Sequence, residues 1–156
     1  MRLGHAGVAL AVQRYAPRVP LWLLIGAAYG PDAIEITFRV FGHYNTEISH
    51  SLVSVGVCAT LVAGLYATVT RDLRGAAFLW LTYVLHWPAD FITGRKPTWP
   101  GGPTVGLDLY THLVLVTVID LAVFGGGWLV HRRGRRPPPR RMRLAEPDGK
   151  SQPSFL

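Results

Sequence analysis

The sequence predicts an all-α integral membrane bundle of about four spans, with a further N-terminal helix partly buried in the bilayer. Three observations predict it. The 156 residues are 49% hydrophobic, and their mean hydropathy of +0.25 is high for a soluble chain. Four apolar stretches each approach the roughly 20 residues that a helix needs to cross a hydrocarbon core. Apart from Arg39, near the end of the first stretch, the basic residues fall outside those stretches.

In chain order, "LGHAGVALAV" (residues 3–12) comes first. It is apolar but too short to cross, and Gly4, His5 and Gly7 do not suit the core of a signal peptide. It reads as a partly buried helix that turns back at "RYAPRVP". The spans follow at about Val19–Phe41, His50–Val69, Ala76–Thr93 (the shortest) and Leu109–Val130. Inside the first, Gly30–Pro31 should kink or break the helix and free backbone groups for a buried site. No internal repeat stands out. Residues 1–130 form the membrane domain, and 131–156 read as a basic, Pro-rich, disordered tail.

Arginine placement sets the orientation. Arg14, Arg18, Arg71, Arg74 and the tail fall on one side of a four-span chain, whereas the other side receives Arg39, Arg95 and Lys96. Both termini of a multi-pass protein are therefore expected in the cytoplasm. Seven of the 16 Lys and Arg residues lie between Arg132 and Arg143, so the formal charge of +7 is largely a property of the tail. Anionic membrane lipid explains such a tail more simply than nucleic acid, and no nucleic-acid partner is expected. Cys58 is the single cysteine, which excludes an intramolecular disulfide, and its apolar context reads as packing.

The apolar run "LTYVLHWPADFITG" carries His86 and Asp90 four residues apart. Imidazole and carboxylate are costly in hydrocarbon, so they mark a functional feature. The predicted topology takes His50, His86/Asp90 and Asp108/His112 to the same membrane face. Each i, i+4 pair lies on one side of a helix, and Asp120 extends the second pair deeper. At 1.5 Å per residue Asp32 lies about 20 Å from the "RYAPR" turn and His5 about 14 Å. A helical hairpin would bring the two to comparable depth, with Glu35 one turn beyond Asp32. Imidazole and carboxylate are the donors that zinc and similar borderline metals prefer. The candidate metal ligands are thus His5, Asp32, His50, His86 and Asp90. Glu35, Asp108 or Asp120 would orient them or act as a base.

Plainer roles compete at several of these positions. His43 and His131 read as solvated side chains, and a His86–Asp90 hydrogen bond would also serve merely to staple helices. Asp120 suits a pairing with a polar group on another helix, and Asp108 suits a helix cap. Trp80, Trp87 and Trp99 fit an interfacial belt.

The segments "GHAGVALAVQRYAPRVPLWLLIGAAYGPD", "ISHSL", "LHWPADFITGRKP" and "WPGGPTVGLDLY" together resemble the predicted inner-membrane metal-dependent hydrolases of bacteria, over most of residues 4–110. The resemblance places that family's early His, "PD", "SHS" and "HWxxD" positions on His5, Asp32, His50, His86 and Asp90. It implies a bundle of about four membrane helices and a metal site. The family pattern has a further His shortly after "DFIT", where this chain carries Gly94, and His112 is the residue that would compensate.

Locally, "HWPADFITG" also resembles the last motif of type 2 phosphatidic-acid phosphatases. The upstream basic residues that cradle phosphate in that chemistry are missing, and an unsupported phosphate is poorly held. The sequence-level expectation is therefore a hydrolase with a divalent metal, zinc or manganese. It would act through a metal-activated water on a phosphoester or lipid-linked substrate, with Glu35 and His112 as catalytic auxiliaries. The alternative is a non-catalytic transporter-like or accessory bundle whose His/Asp cluster is structural.

Overall fold

The computed structural model describes residues 3–44 and 47–134. They are mostly helical: α1 (Gly4–Gln13), α2 (Leu21–Ala28), α3 (Gly30–Val40), α4 (Glu47–His50), α5 (Leu52–Thr70), α6 (Leu73–Val84), α7 (His86–Thr93) and α8 (Leu113–Gly134). A short antiparallel hairpin, β1 (Lys96–Pro97) with β2 (Thr104–Val105), and a 3-10 turn at Leu109–Thr111 lie between α7 and α8. The all-α expectation holds at this level, and two of the four expected spans are interrupted, the first at the expected Gly30–Pro31 break and the third at an unexpected one.

Prolines account for the difference. The expected first span breaks at Tyr29 into α2 and α3, with Pro31 in the opening turn of α3. The third breaks at Leu85 into α6 and α7, just before Pro88. A proline lacks the amide for the i−4 carbonyl and its ring crowds that carbonyl, so neither segment continues as one regular helix. Two helices remain that are long and apolar enough to cross a membrane: α5, of 19 residues, and α8, of 22. Only 17% and 11% of their most apolar windows are buried, so neither is the core helix of a soluble protein. Their outward faces carry Leu61, Leu65, Val114 and Val118.

Capping chemistry sets the ends of α5 and α6. Ser51 accepts the Ser54 amide at 3.1 Å to start α5, and Asp72 accepts the Gly75 amide at 2.9 Å to start α6. Between them Arg71 adopts a left-handed conformation (φ 59°) and turns the chain back. The core is built from α1, α2, α5 and α6 around Ala9, Val19, Leu24, Val55, Ala59 and Leu79.

The α1–α8 contact is the most extensive between helices. Backbone meets backbone there. A Cβ on Gly127 would lie 1.9 Å from the Gly7 carbonyl oxygen, and one on Gly7 would lie 2.5 Å from that of Val123. The Asp120 carboxylate accepts the Leu3 and Gly4 amides at 2.9 and 2.7 Å, capping α1 from another helix. This is the plainer of the roles expected for Asp120, and it fixes the turn that bears His5.

The last expected span starts late. Asp108 has a left-handed backbone (φ 53°) and its side chain caps nothing, while regular helix begins only at Leu113 and runs on to Gly134. Residues 131–134, expected in the tail, are therefore helical, and the rest of that tail lies outside the described residues. Trp87 also departs from a belt role, because its indole N–H donates to the Pro97 carbonyl at 3.4 Å and ties α7 to the hairpin.

Candidate metal centre

Five short segments deliver polar side chains to one place: α1 brings His5, α3 brings Asp32 and Glu35, α4 brings His50, α7 brings His86 and Asp90, and β1 brings Lys96. The breaks at Tyr29 and Leu85 make this possible, since α3 and α7 both begin there. Gly30 permits the approach, because a Cβ at that position would lie 2.3 Å from the Tyr83 ring.

Donor atoms of Asp32, His50, His86 and Asp90 all lie within 4.8 Å of one another. The His50 Nε2 is 3.1 Å from Asp32 Oδ1 and 3.7 Å from Asp90 Oδ2. The His86 Nε2 is 3.7 and 3.3 Å from the same two oxygens. A tetrahedral ion bound at about 2.0–2.1 Å holds its donors roughly 3.4 Å apart, and these four separations bracket that value.

Tautomers sharpen the fit. His86 Nδ1 lies 2.8 Å from the Ala28 carbonyl oxygen. A carbonyl only accepts, so Nδ1 carries the proton and Nε2 presents a lone pair to the cluster. That Nε2 is buried and makes no hydrogen bond among the described residues. In the neutral ring this lone pair faces two carboxylate oxygens, a donor set that could hold a metal ion. His50 differs, because its Nε2 makes a 3.1 Å hydrogen bond to Asp32 Oδ1. Its Nδ1 lies 3.2 Å from Glu35 Oε2 and 2.8 Å from Ser49 Oγ, while its Nε2 faces Asp32. A neutral His50 has one proton to give, to Asp32 through Nε2 or to Glu35 through Nδ1, and only the second tautomer offers Nε2 to a metal.

His5 stands beside this set, outside the four. Its ring stacks on that of His86 with centroids 4.1 Å apart, and its buried Nε2 lies 3.4 Å from the other Asp90 oxygen, Oδ1. Asp32 is the open side of the cluster, with its side chain 36% exposed, whereas the Asp90 side chain is only 6% exposed. The cluster faces a cleft of about 430 Å³, lined also by Arg39, Lys96 and Tyr110.

Glu35 is engaged on both sides, with His50 and with Arg39, so its position suits orienting a ligand and not acting as a free base. His112 is exposed, closes the 3-10 turn and is not among the four grouped donors. The expected Asp108/His112 stripe fails because no regular helix joins the two residues. Gly94 sits against Tyr110, whose ring would be 3.0 Å from an added Cβ. Lys96 escaped the sequence reading. Its Nζ lies 2.8 Å from Asp90 Oδ2, and the only sequence signal was a lone lysine six residues beyond Asp90.

Comparison with protein-family models, with curated proteins and with solved structures gives no match to this chain.

Proposed function

We propose that the protein is a membrane-embedded metal-dependent hydrolase acting on a phosphoester or lipid-linked substrate. The observation that carries this reading is the convergence of His50, His86, Asp32 and Asp90, with a buried lone pair on His86 aimed at two carboxylate oxygens. A zinc or manganese ion there would acidify water and polarise an ester oxygen. The chain's own groups hold the geometry: Ala28 orients His86, Glu35 would take the Nδ1 proton of His50 once a metal replaces the Nε2–Asp32 hydrogen bond, and Lys96 and His5 flank Asp90. The exposed edge of Asp32 leaves an approach for water and substrate. The resemblance of "HWPAD", "GPD" and "ISHSL" to bacterial inner-membrane hydrolases supports the same reading.

The proposed setting is a bacterial inner membrane, crossed by α5 and α8 and also by the interrupted pairs α2–α3 and α6–α7. Broken helices are tolerated in a bilayer where they line a protein cavity, and both breaks here adjoin the cluster. Arg14, Arg18, Arg71 and Arg74 then share the cytoplasmic side with both termini.

A second reading has one observation in its favour. The 2.8 Å Lys96–Asp90 pair would also neutralise the cluster of a non-catalytic accessory bundle that holds no metal. Elemental analysis of protein purified in mild detergent, beside a hydrolysis screen of phosphoesters and lipids, separates the two. The hydrolase reading expects about one zinc or manganese per chain and metal-dependent turnover. Metal-free protein that no divalent ion can load would establish the accessory reading.

A further inference from the structure

Lys96 is an expensive residue in its position. Its side chain is 19% exposed and it lies against a carboxylate oxygen that faces both His50 and His86. It is put there by construction. The Thr98 carbonyl of its hairpin accepts the Val53 amide at 3.3 Å, and Glu47 accepts the Gly101 amide at 2.9 Å. The next turn closes on α7, where a Cβ on Gly106 would lie 1.8 Å from the Gly94 carbonyl oxygen.

The cleft that Lys96 lines contains Asp32, Glu35 and Asp90 and two permanent cations, Arg39 and Lys96. With neutral histidines, three carboxylates against two cations leave one net negative charge, which repels anions. A divalent ion in the cluster reverses this to one net positive charge. The Lys96 ammonium has three N–H donors, of which Asp90 engages one, so two remain for an incoming group. Arg39 is half exposed beyond Glu35 and adds positive potential at the mouth.

We propose that Lys96, assisted by Arg39, is the anion-binding and specificity-determining group of this cleft, selecting substrates with a phosphate-type oxyanion once a metal is bound. The inference rests on the hydrolase reading and deepens it, because Lys96 has N–H donors beyond the one that Asp90 engages and they suit an oxyanion better than a neutral ester. The chemistry fits the headgroup of a phospholipid or a free phosphoester equally, so the test uses both sources.

The full chain is loaded with zinc in detergent, its metal content is measured, and inorganic phosphate is titrated in by calorimetry. In a second arm, mixed micelles doped with phosphatidic acid replace the phosphate. Zinc-loaded protein is expected to bind at least one probe about tenfold more tightly than metal-free protein. Lys96→Met is expected to lose about tenfold in that affinity, the scale of one charge-assisted hydrogen bond, with its zinc retained. Lys96→Arg should keep most of the affinity and Arg39→Gln should lose about threefold. Binding confined to micelles assigns a lipid headgroup, and binding of free phosphate assigns a soluble phosphoester. The inference is overturned if zinc stays bound while affinity is unchanged in Lys96→Met and Arg39→Gln, or if the loaded wild type binds neither probe. It is also overturned if Lys96→Met fails to fold and neither Lys96→Arg nor Arg39→Gln shifts affinity. Failure to load zinc at all would instead sink the hydrolase reading itself.

Discussion

The uninterrupted helices, α5 and α8, and the interrupted pairs, α2–α3 and α6–α7, are built from similarly apolar sequence but do different work. α5 and α8 hold only apolar packing residues and glycine inward, Val55, Ala59 and Ala63 on one and Val116 and Gly127 on the other, and turn bare aliphatic surface outward. The interrupted pairs carry Asp32, Glu35, His86 and Asp90 at or just after their breaks. The lesson is about backbone. A regular helix satisfies its own polar groups and offers the Ala28 carbonyl to nothing else, whereas a break lets that carbonyl receive His86 and set its tautomer. Asp120 is the exception on α8, and it too serves a helix end, the start of α1.

The comparison breaks most severely where shape alone holds the molecule. Gly127→Leu puts atoms where the Gly7 carbonyl already lies. It should cost about 3 kcal/mol or more, the upper range of overpacking, read as a lowered midpoint of thermal unfolding in detergent. A midpoint within error of wild type would mean that α1 and α8 do not meet through these glycines. The complementary substitution acts on chemistry and spares shape. His86→Ala should lower zinc affinity by more than about 100-fold, beyond the 10–100-fold that outer partners of a ligand cost, with the helical circular dichroism kept. Retained zinc would remove His86 from the metal set. Smallest is Glu35→Gln, which keeps the neighbour of His50 but removes the charge that selects its tautomer. It should weaken zinc binding by about tenfold, measured by competition with a chelator. An unchanged constant would leave Glu35 as a partner of Arg39 only.

Much of the cluster is legible in the sequence, for a physical reason. "HWPAD" sets an imidazole and a carboxylate four residues apart inside an apolar run, and "GPD" joins a break to an acid, so the cost of burial itself points at His86, Asp90 and Asp32. The four-span count is less legible, because apolar composition reads through the Leu85 break although Pro88 marks it. The Asp108/His112 stripe is not legible, because the left-handed Asp108 and the 3-10 turn delay the helix from Leu109 to Leu113. Lys96 was invisible in principle. Its placement depends on a hairpin tied to α4, α5 and α7 by single hydrogen bonds from distant residues, which no local pattern encodes.

X-ray absorption at the zinc edge of the loaded protein measures the central claim most directly, since it counts donors and identifies their atoms. Two imidazoles with oxygens from Asp32, Asp90 and the activated water predict a shell of only nitrogen and oxygen near 2.0–2.1 Å, with imidazole scattering that is halved in His50→Ala. A sulfur donor from Cys58, or a spectrum indifferent to the loss of His50 and of His86, would contradict a metal centre assembled at the helix breaks.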